Sequence, residues 1–197
     1  AHLEHQVIVS DINEIRIAQL KRGECPIVEA GLQDLLIQGI SSGNLQFTTD
    51  NDLAVSTADF VFVCLPTPQG ENGVADTSYV QKALRCVAPS LKPGSVVVTK
   101  STVPVGSTKI IEEVLNRSDI AVVSNPEFLR EGSAVNDFLH PDRVVVGSTD
   151  SNAAQKVAAL YTKLNAKVFF TDPASAETIK YAANAFLATK ISYINAI

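Results

Sequence analysis

Two pairs of side chains stand one helical turn apart and could share a reaction. Glu127 and Glu131 lie four apart in Asn125-Pro126-Glu127-Phe128-Leu129-Arg130-Glu131-Gly132, so a helical course after Pro126 would put both carboxylates on one face. Two acids so close repel. The arrangement suits a wet surface, or a site where one acid orients a reactant and the other takes a proton. Lys180 and Asn184 repeat the spacing. A lysine there is more often solvent-facing. Beside a reacting oxygen, however, it would bring a compact positive charge, and Asn184 both a donor and an acceptor.

Asp11 is a third candidate. A carboxylate that closes the second strand of a dinucleotide-binding unit accepts a hydrogen bond from a ribose, about 20 residues after a G-x-G-x-x-G turn. None of the ten glycines supplies a G-x-G spacing, so that loop is expected upstream of Ala1, with residues 1–5 as the tail of a first helix. Asp11 equally suits the N-cap of a helix starting near Asn13. Arg16 is by default a surface charge, and beside a ribose carboxylate it could contact the adenosine end of a cofactor.

These residues matter only if the chain delivers them to one place. Short apolar, β-branched runs at 6–10, 45–48, 60–65, 95–100, 120–124, 143–147 and 167–170 alternate with helical patterns at 13–21, 32–40, 78–87, 106–115 and 152–164. Several runs, such as Ser95-Val96-Val97-Val98, are apolar on both faces and read as central strands of a parallel sheet covered on both sides. The alternation predicts an α/β fold, a Rossmann-like doubly wound parallel sheet. From about Ala174, Ile179, Ala183, Phe186, Leu187, Ile191 and Ile194 fall on one stripe with no Gly or Pro to stop it, the start of a long connecting helix. Ligands of open parallel sheets bind outside the carboxyl ends of the strands. There the sequence places Asp11, Pro66-Thr67-Pro68, Ser101-Thr102-Val103-Pro104 and Asn125-Pro126-Glu127, with prolines to stop each strand.

Composition bounds the function. With 197 residues, 46% hydrophobic and 19% charged, the chain is ordinary globular material. A net charge of -5 without a basic block argues against nucleic acid as a partner. No apolar run approaches the ~18 residues of a membrane span, so no membrane association and a cytoplasmic location are expected. Cys25, Cys64 and Cys86 form neither a disulfide framework nor a zinc site, and no metal is expected. Cys64, inside an apolar run, reads as a buried small hydrophobe. With Met 0, the chain reads as a piece of something longer.

Further stretches complete a pattern: Val9-Ser10-Asp11-Ile12-Asn13, Pro26-Ile27-Val28-Glu29-Ala30-Gly31-Leu32, Leu65-Pro66-Thr67-Pro68, Ala75-Asp76-Thr77-Ser78-Tyr79-Val80, Lys100-Ser101-Thr102-Val103-Pro104-Val105-Gly106, Pro141-Asp142-Arg143-Val144 and Lys180-Tyr181-Ala182-Ala183-Asn184-Ala185-Phe186. With the Glu127 segment they occur in order across the chain, which resembles the UDP-glucose 6-dehydrogenase family of nucleotide-sugar dehydrogenases. The resemblance implies NAD as cofactor, UDP-glucose as substrate, and a two-step oxidation of the sugar C6 alcohol to a carboxylate with release of two NADH.

The same resemblance assigns Asp11 and Arg16 to the adenosine ribose, and Thr67 and Thr102 to the path toward the nicotinamide. Glu127, Phe128, Leu129, Arg130 and Glu131 would form the substrate loop, with Glu131 also near the cofactor, and Lys180 and Asn184 would reach the reacting sugar. Thr102 and a carboxylate would hold the water that carries the proton away, and Lys180 would stabilise the alkoxide. Glu127, then Glu131, is the expected activator of the hydrolytic water.

In that family the second oxidation passes through a cysteine in a Gly-Gly-x-Cys-x-Pro-Lys-Asp context. None of the three cysteines has that context. Residues 1–172 are therefore expected to be the NAD-binding domain without its first strand and Gly-rich loop. Residues 173–197 would begin the central helix of a homodimer, the UDP-binding domain would be absent, and the isolated chain would be inactive. A GDP-mannose or UDP-N-acetylmannosamine dehydrogenase, and a noncatalytic nucleotide-binding module, are the alternative readings.

Overall fold

The computed structural model describes residues 1–197, the side chain of Asn72 excepted. Its strands are β1 (Val7–Ser10), β2 (Leu45–Thr48), β3 (Phe60–Val63), β4 (Val96–Thr99), β5 (Ala121–Ser124), β6 (Val144–Gly147) and β7 (Val168–Thr171). The helices are α1 (Glu14–Lys21), α2 (Leu32–Ser41), α3 (Asn51–Ser56), α4 (Ser78–Val87), α5 (Ser107–Leu115), α6 (Ala134–Leu139), α7 (Ser151–Ala159) and α8 (Pro173–Ala196).

Strands apolar on both faces need cover on both sides, and they have it. Val97 and Val122 face Val80, Leu84, Ile111 and Leu115 of α4 and α5. Val98, Val123 and Val146 face Ala153 and Val157 of α7, with Tyr161 beside them. All four residues of β4 are buried. This two-sided packing makes β4 the centre of the molecule, and its carboxyl end a fixed platform.

The sheet is not continuous. β1 and β2 pair in parallel as a separate ribbon, and β3 to β7 form a five-stranded sheet in that order. Nor is it wholly parallel. β3, β4 and β5 run parallel, whereas β6 meets β5 antiparallel through Ser124 and Gly147, and β7 follows β6 in parallel. A parallel neighbour needs a crossover that carries the chain back along the sheet, usually on a helix. Between β5 and β6 stands the six-residue α6, about 9 Å long at helical rise, and the chain instead returns at the same end. Residues 125–143 are thereby gathered over the carboxyl ends of β4 and β5.

Several local expectations shift. Residues 1–5 form a turn, closed by Glu4 N–H donating to the Ala1 carbonyl at 2.8 Å, rather than a helix tail. The helix expected over 152–164 ends at Ala159 and is followed by a single 3-10 turn at Thr162–Leu164. The six-residue α3 and α6 are too short to show a period in sequence. Cys64 lies past the end of β3 and is exposed, because the strand stops one residue before it.

Asp172 caps α8 by accepting from Ser175 N–H, and Pro173 fills its first turn. The helix docks on β6 where Gly147 leaves room for Ala176; a Cβ on Gly147 would lie 2.5 Å from that of Ala176. Ala176, Glu177 and Lys180 are buried, whereas Phe186, Ile191 and Ile194 are more than half exposed. Among the described residues no helix is long and apolar enough to cross a membrane.

Candidate functional site

The loops after β3, β4 and β5 are tied together by hydroxyls. Ser101 Oγ donates to the Leu65 carbonyl at 2.6 Å, and Thr67 Oγ1 donates to the Thr102 carbonyl at 2.8 Å. Thr67 and Thr102, 35 residues apart, are thus side by side. Asn125, 1% exposed, anchors the third loop. Its Nδ2 donates to the Val145 carbonyl at 2.7 Å, and its Oδ1 accepts from the Tyr161 hydroxyl at 2.6 Å. Burial pushes that phenol well above the ordinary tyrosine range, so it stays a donor.

Residues 125–130 have no regular structure, Glu131 lies in a turn, and α6 begins at Ala134. The shared helical face expected for Glu127 and Glu131 therefore does not form. The loop is organised instead by two distant carboxylates. Asp137 accepts from the Arg130 backbone N–H at 3.0 Å, from its guanidinium at 3.0 and 2.6 Å, and from Ser133 Oγ at 3.0 Å. That guanidinium holds the Asp137 carboxyl well below the usual carboxylate range. Glu29 accepts from Gly132 N–H at 2.9 Å and Ala134 N–H at 3.0 Å. Arg130 is thus spent on the loop itself, and Glu131 is exposed at its turn.

Glu127 is the residue the fold brings to α8. Its Oε2 accepts from Leu129 N–H at 2.6 Å, and its Oε1 from Lys180 Nζ at 2.9 Å. Lys180 is 6% exposed, against the solvent-facing habit of lysine, because the ion pair offsets the loss of water. Its ammonium also lies 5.4 Å from the centroid of the Phe128 ring, on which Arg143 stacks at 4.5 Å. Asn184 stands one turn beyond Lys180 on α8, exposed. Leu129, 40% exposed, rims the loop.

Asp11 sits at the end of β1. Its two oxygens accept from Asn13 N–H at 2.9 Å and from Arg16 Nη1 at 2.7 Å. Asn13, not Asp11, caps α1, accepting from Arg16 N–H. This removes the capping explanation for Asp11. A carboxylate has about four lone-pair sites, so Asp11 can still accept from ribose hydroxyls while it fixes Arg16. Asp11 with Arg16 thus offers acceptor and donor chemistry that fits a ribose.

Three residues escaped the sequence reading. Glu177, 2% exposed, accepts from Gly106 N–H at 2.6 Å, Thr108 N–H at 2.8 Å and Thr108 Oγ1 at 2.7 Å. It caps α5 from another helix, at a helix start where Gly106 offers no side chain of its own. It also locks the Thr102 loop to the helix of Lys180, one turn away. Glu29 does comparable work from 103 residues upstream. Lys100 follows β4, half-buried, with Nζ 3.4 Å from Asn125 Oδ1, and burial pushes its ammonium down to about 8. The available signal was an acid or base within an otherwise apolar stretch. Among the described residues no group of three His, Cys, Asp or Glu side chains is placed to hold a metal ion.

The sequence model of the UDP-glucose/GDP-mannose dehydrogenase family, NAD binding domain, matches residues 1–165. The chain is 43% identical to UDP-glucose 6-dehydrogenase TuaD of Bacillus subtilis over 202 residues, covering 100% of this chain and 44% of that protein. A UDP-glucose dehydrogenase from Pyrobaculum islandicum superposes with a TM-score of 0.93 at 39% identity, over 98% of this chain and 46% of the other. A GDP-mannose dehydrogenase from Pseudomonas aeruginosa, solved as a ternary complex, superposes with a TM-score of 0.91 at 33% identity, over 98% and 47%. The chain spans less than half the length of each of these three proteins.

Proposed function

The chain belongs to the UDP-glucose/GDP-mannose dehydrogenase family, and from that premise we propose that it is the cofactor-binding part of an NAD-dependent dehydrogenase that oxidises UDP-glucose to UDP-glucuronate. The observation that carries this reading is the ion pair of buried Lys180 with half-buried Glu127, on the loop that follows β5. A bare binding module needs no such pair. NAD, when bound, supplies the hydride acceptor.

We assign the roles as follows. Asp11 and Arg16 hold the adenosine ribose, and Thr67 and Thr102 line the way to the reacting end. Lys180 turns from Glu127 to the substrate oxygen and stabilises its developing negative charge, a task favoured in a site largely shut off from water. Thr102 and Glu127 order the water that receives the alcohol proton. Glu127, freed from Lys180, then activates the water that completes the acid, with Glu131 as its nearest substitute. Phe128, Leu129 and Arg130 shape the substrate loop, and Asn184, a donor and acceptor one turn past Lys180, holds the same substrate oxygen.

Residues 1–172 form the NAD-binding domain and 173–197 open the connecting helix. Its apolar side beyond Lys180 is assigned to a homodimer contact. The enzyme works in the cytoplasm, where free Cys25, Cys64 and Cys86 stay reduced. The 33% identity to a GDP-mannose dehydrogenase keeps GDP-mannose as the second substrate reading.

The test is NADH formation by the complete enzyme with UDP-glucose, GDP-mannose and UDP-N-acetylmannosamine in turn. Two NADH per UDP-glucose is the expected result, and turnover of only another sugar nucleotide, or of none, overturns it. A polypeptide limited to residues 1–197 is expected to produce no NADH, since it carries neither a G-x-G phosphate loop to seat the cofactor nor the cysteine of the second oxidation.

A further inference from the structure

Two ammonium groups approach the loop that carries Glu127. Lys180 donates to Glu127 directly at 2.9 Å. Lys100 reaches the same space from the sheet, with Nζ 3.4 Å from Asn125 Oδ1, two residues before Glu127, and 5.8 Å from the centre of the Tyr161 ring. Asn125 is a rigid post, since its amide is already held by Tyr161 and by the Val145 carbonyl. Among the described residues, Lys100 has no acidic partner within ion-pair distance. Beyond the downward push of burial, the groups around it act in opposite senses: Cys64 and then Glu127 favour its charged form, and Lys180 opposes it. The other ionisable groups around this loop are Cys64 past β3, Tyr161, Arg143 stacked on Phe128, the paired Arg130 and Asp137, Glu29 at Gly132, and Glu131 in the turn.

We propose that Lys100 is a positioning residue of the reaction site, the standing countercharge that holds the Glu127 carboxylate when Lys180 leaves it for the substrate oxygen. The proposal rests on the reading above in which Lys180 serves the substrate. A carboxylate locked to Lys180 is a poor base. A carboxylate left with no cation nearby, in turn, has its negative charge less well supported. Lys100 resolves the conflict because a neutral oxygen, not an acid, restrains its ammonium, and its charge is free to serve Glu127. It exchanges no proton in the step. The downward push that burial exerts on Lys100 fits the same picture, since a cation without an acidic partner is the one that desolvation weakens most.

The first test follows the Lys100 ammonium by NMR in the full chain with carbon-13 at lysine Cε. Glu127→Gln lowers the Lys100 midpoint from about 8 by about one pH unit, and Lys180→Met raises it. A midpoint that Glu127→Gln leaves in place overturns the proposal. The second test uses the complete enzyme. Lys100→Met moves the acid limb of the kcat profile up by about one pH unit at nearly unchanged KM, and Lys100→Arg restores it. A uniform fall in kcat with the limb unmoved is what a merely structural lysine would give, and it overturns the proposal. Failure of the unaltered enzyme to turn over any sugar nucleotide counts against the function, while the NMR titration still decides the role of Lys100.

Discussion

Replacing Glu177 by alanine removes three hydrogen bonds at the start of α5 in one step. Their weights differ. Gly106 is exposed and its N–H regains a water, so that bond contributes little. Thr108 is 3% exposed, and its N–H, left without a partner in the interior, costs about 2 kcal/mol. Its hydroxyl can turn toward another acceptor and adds about 0.5 kcal/mol. Loss of a negative charge at the positive end of the helix adds about 0.5 kcal/mol. The sum is about 3 kcal/mol, which at this chain length lowers Tm by about 6–12 °C. Glu177→Gln keeps the volume but turns an NH₂ toward a backbone N–H, and falls by about 2 kcal/mol. Urea unfolding of the three proteins measures both. A Glu177→Ala protein within about 1 kcal/mol of the parent would refute the reasoning, as would a full loss in Ala with none in Gln, which would assign the effect to packing rather than to the carboxylate.

Gly147→Ala places a methyl 2.5 Å from Ala176 Cβ and 2.8 Å from the Asp172 carbonyl; α8 must shift off β6, and thermal unfolding shows a loss of about 3 kcal/mol. Asp11→Asn, in the complete enzyme, weakens NAD about tenfold or more by calorimetry without changing the fold, since a charged acceptor is lost to a ribose hydroxyl. Asp137 is held low by Arg130, so its contribution is complete above about pH 4 and is lost as pH falls toward the depressed folded value. In Asp137→Asn, chemical denaturation across that acid range shows the pH dependence flattened.

Legibility in the sequence tracked the range of the interaction. The strands of 95–100 and 120–124 and the helix over 106–115 could be read because burial on both faces, or on one stripe, leaves a period in the chain itself. The helical face for Glu127 and Glu131 failed because the loop answers to Asp137 and to Glu29, the latter 103 residues away, rather than to its own spacing. The antiparallel entry of β6 was hidden for a related reason: its run of three valines, Val144 to Val146, reads the same in either direction.

What the sequence alone determined is the class of fold, the order of its strands and longer helices, and the residues at the carboxyl ends of the strands, since apolar period, proline stops and motif order are local properties. Only the tertiary structure decided that Lys180 is buried against Glu127, that Glu177 caps α5, that Lys100 stands beside Asn125, and that Asp11 holds Arg16 instead of capping a helix. Most of these pairings join segments about 25 to 71 residues apart, and even the Asp11–Arg16 pair depends on which of two neighbouring side chains takes the cap. Each is set by the approach of particular donor and acceptor atoms in space, a quantity with no period along the chain.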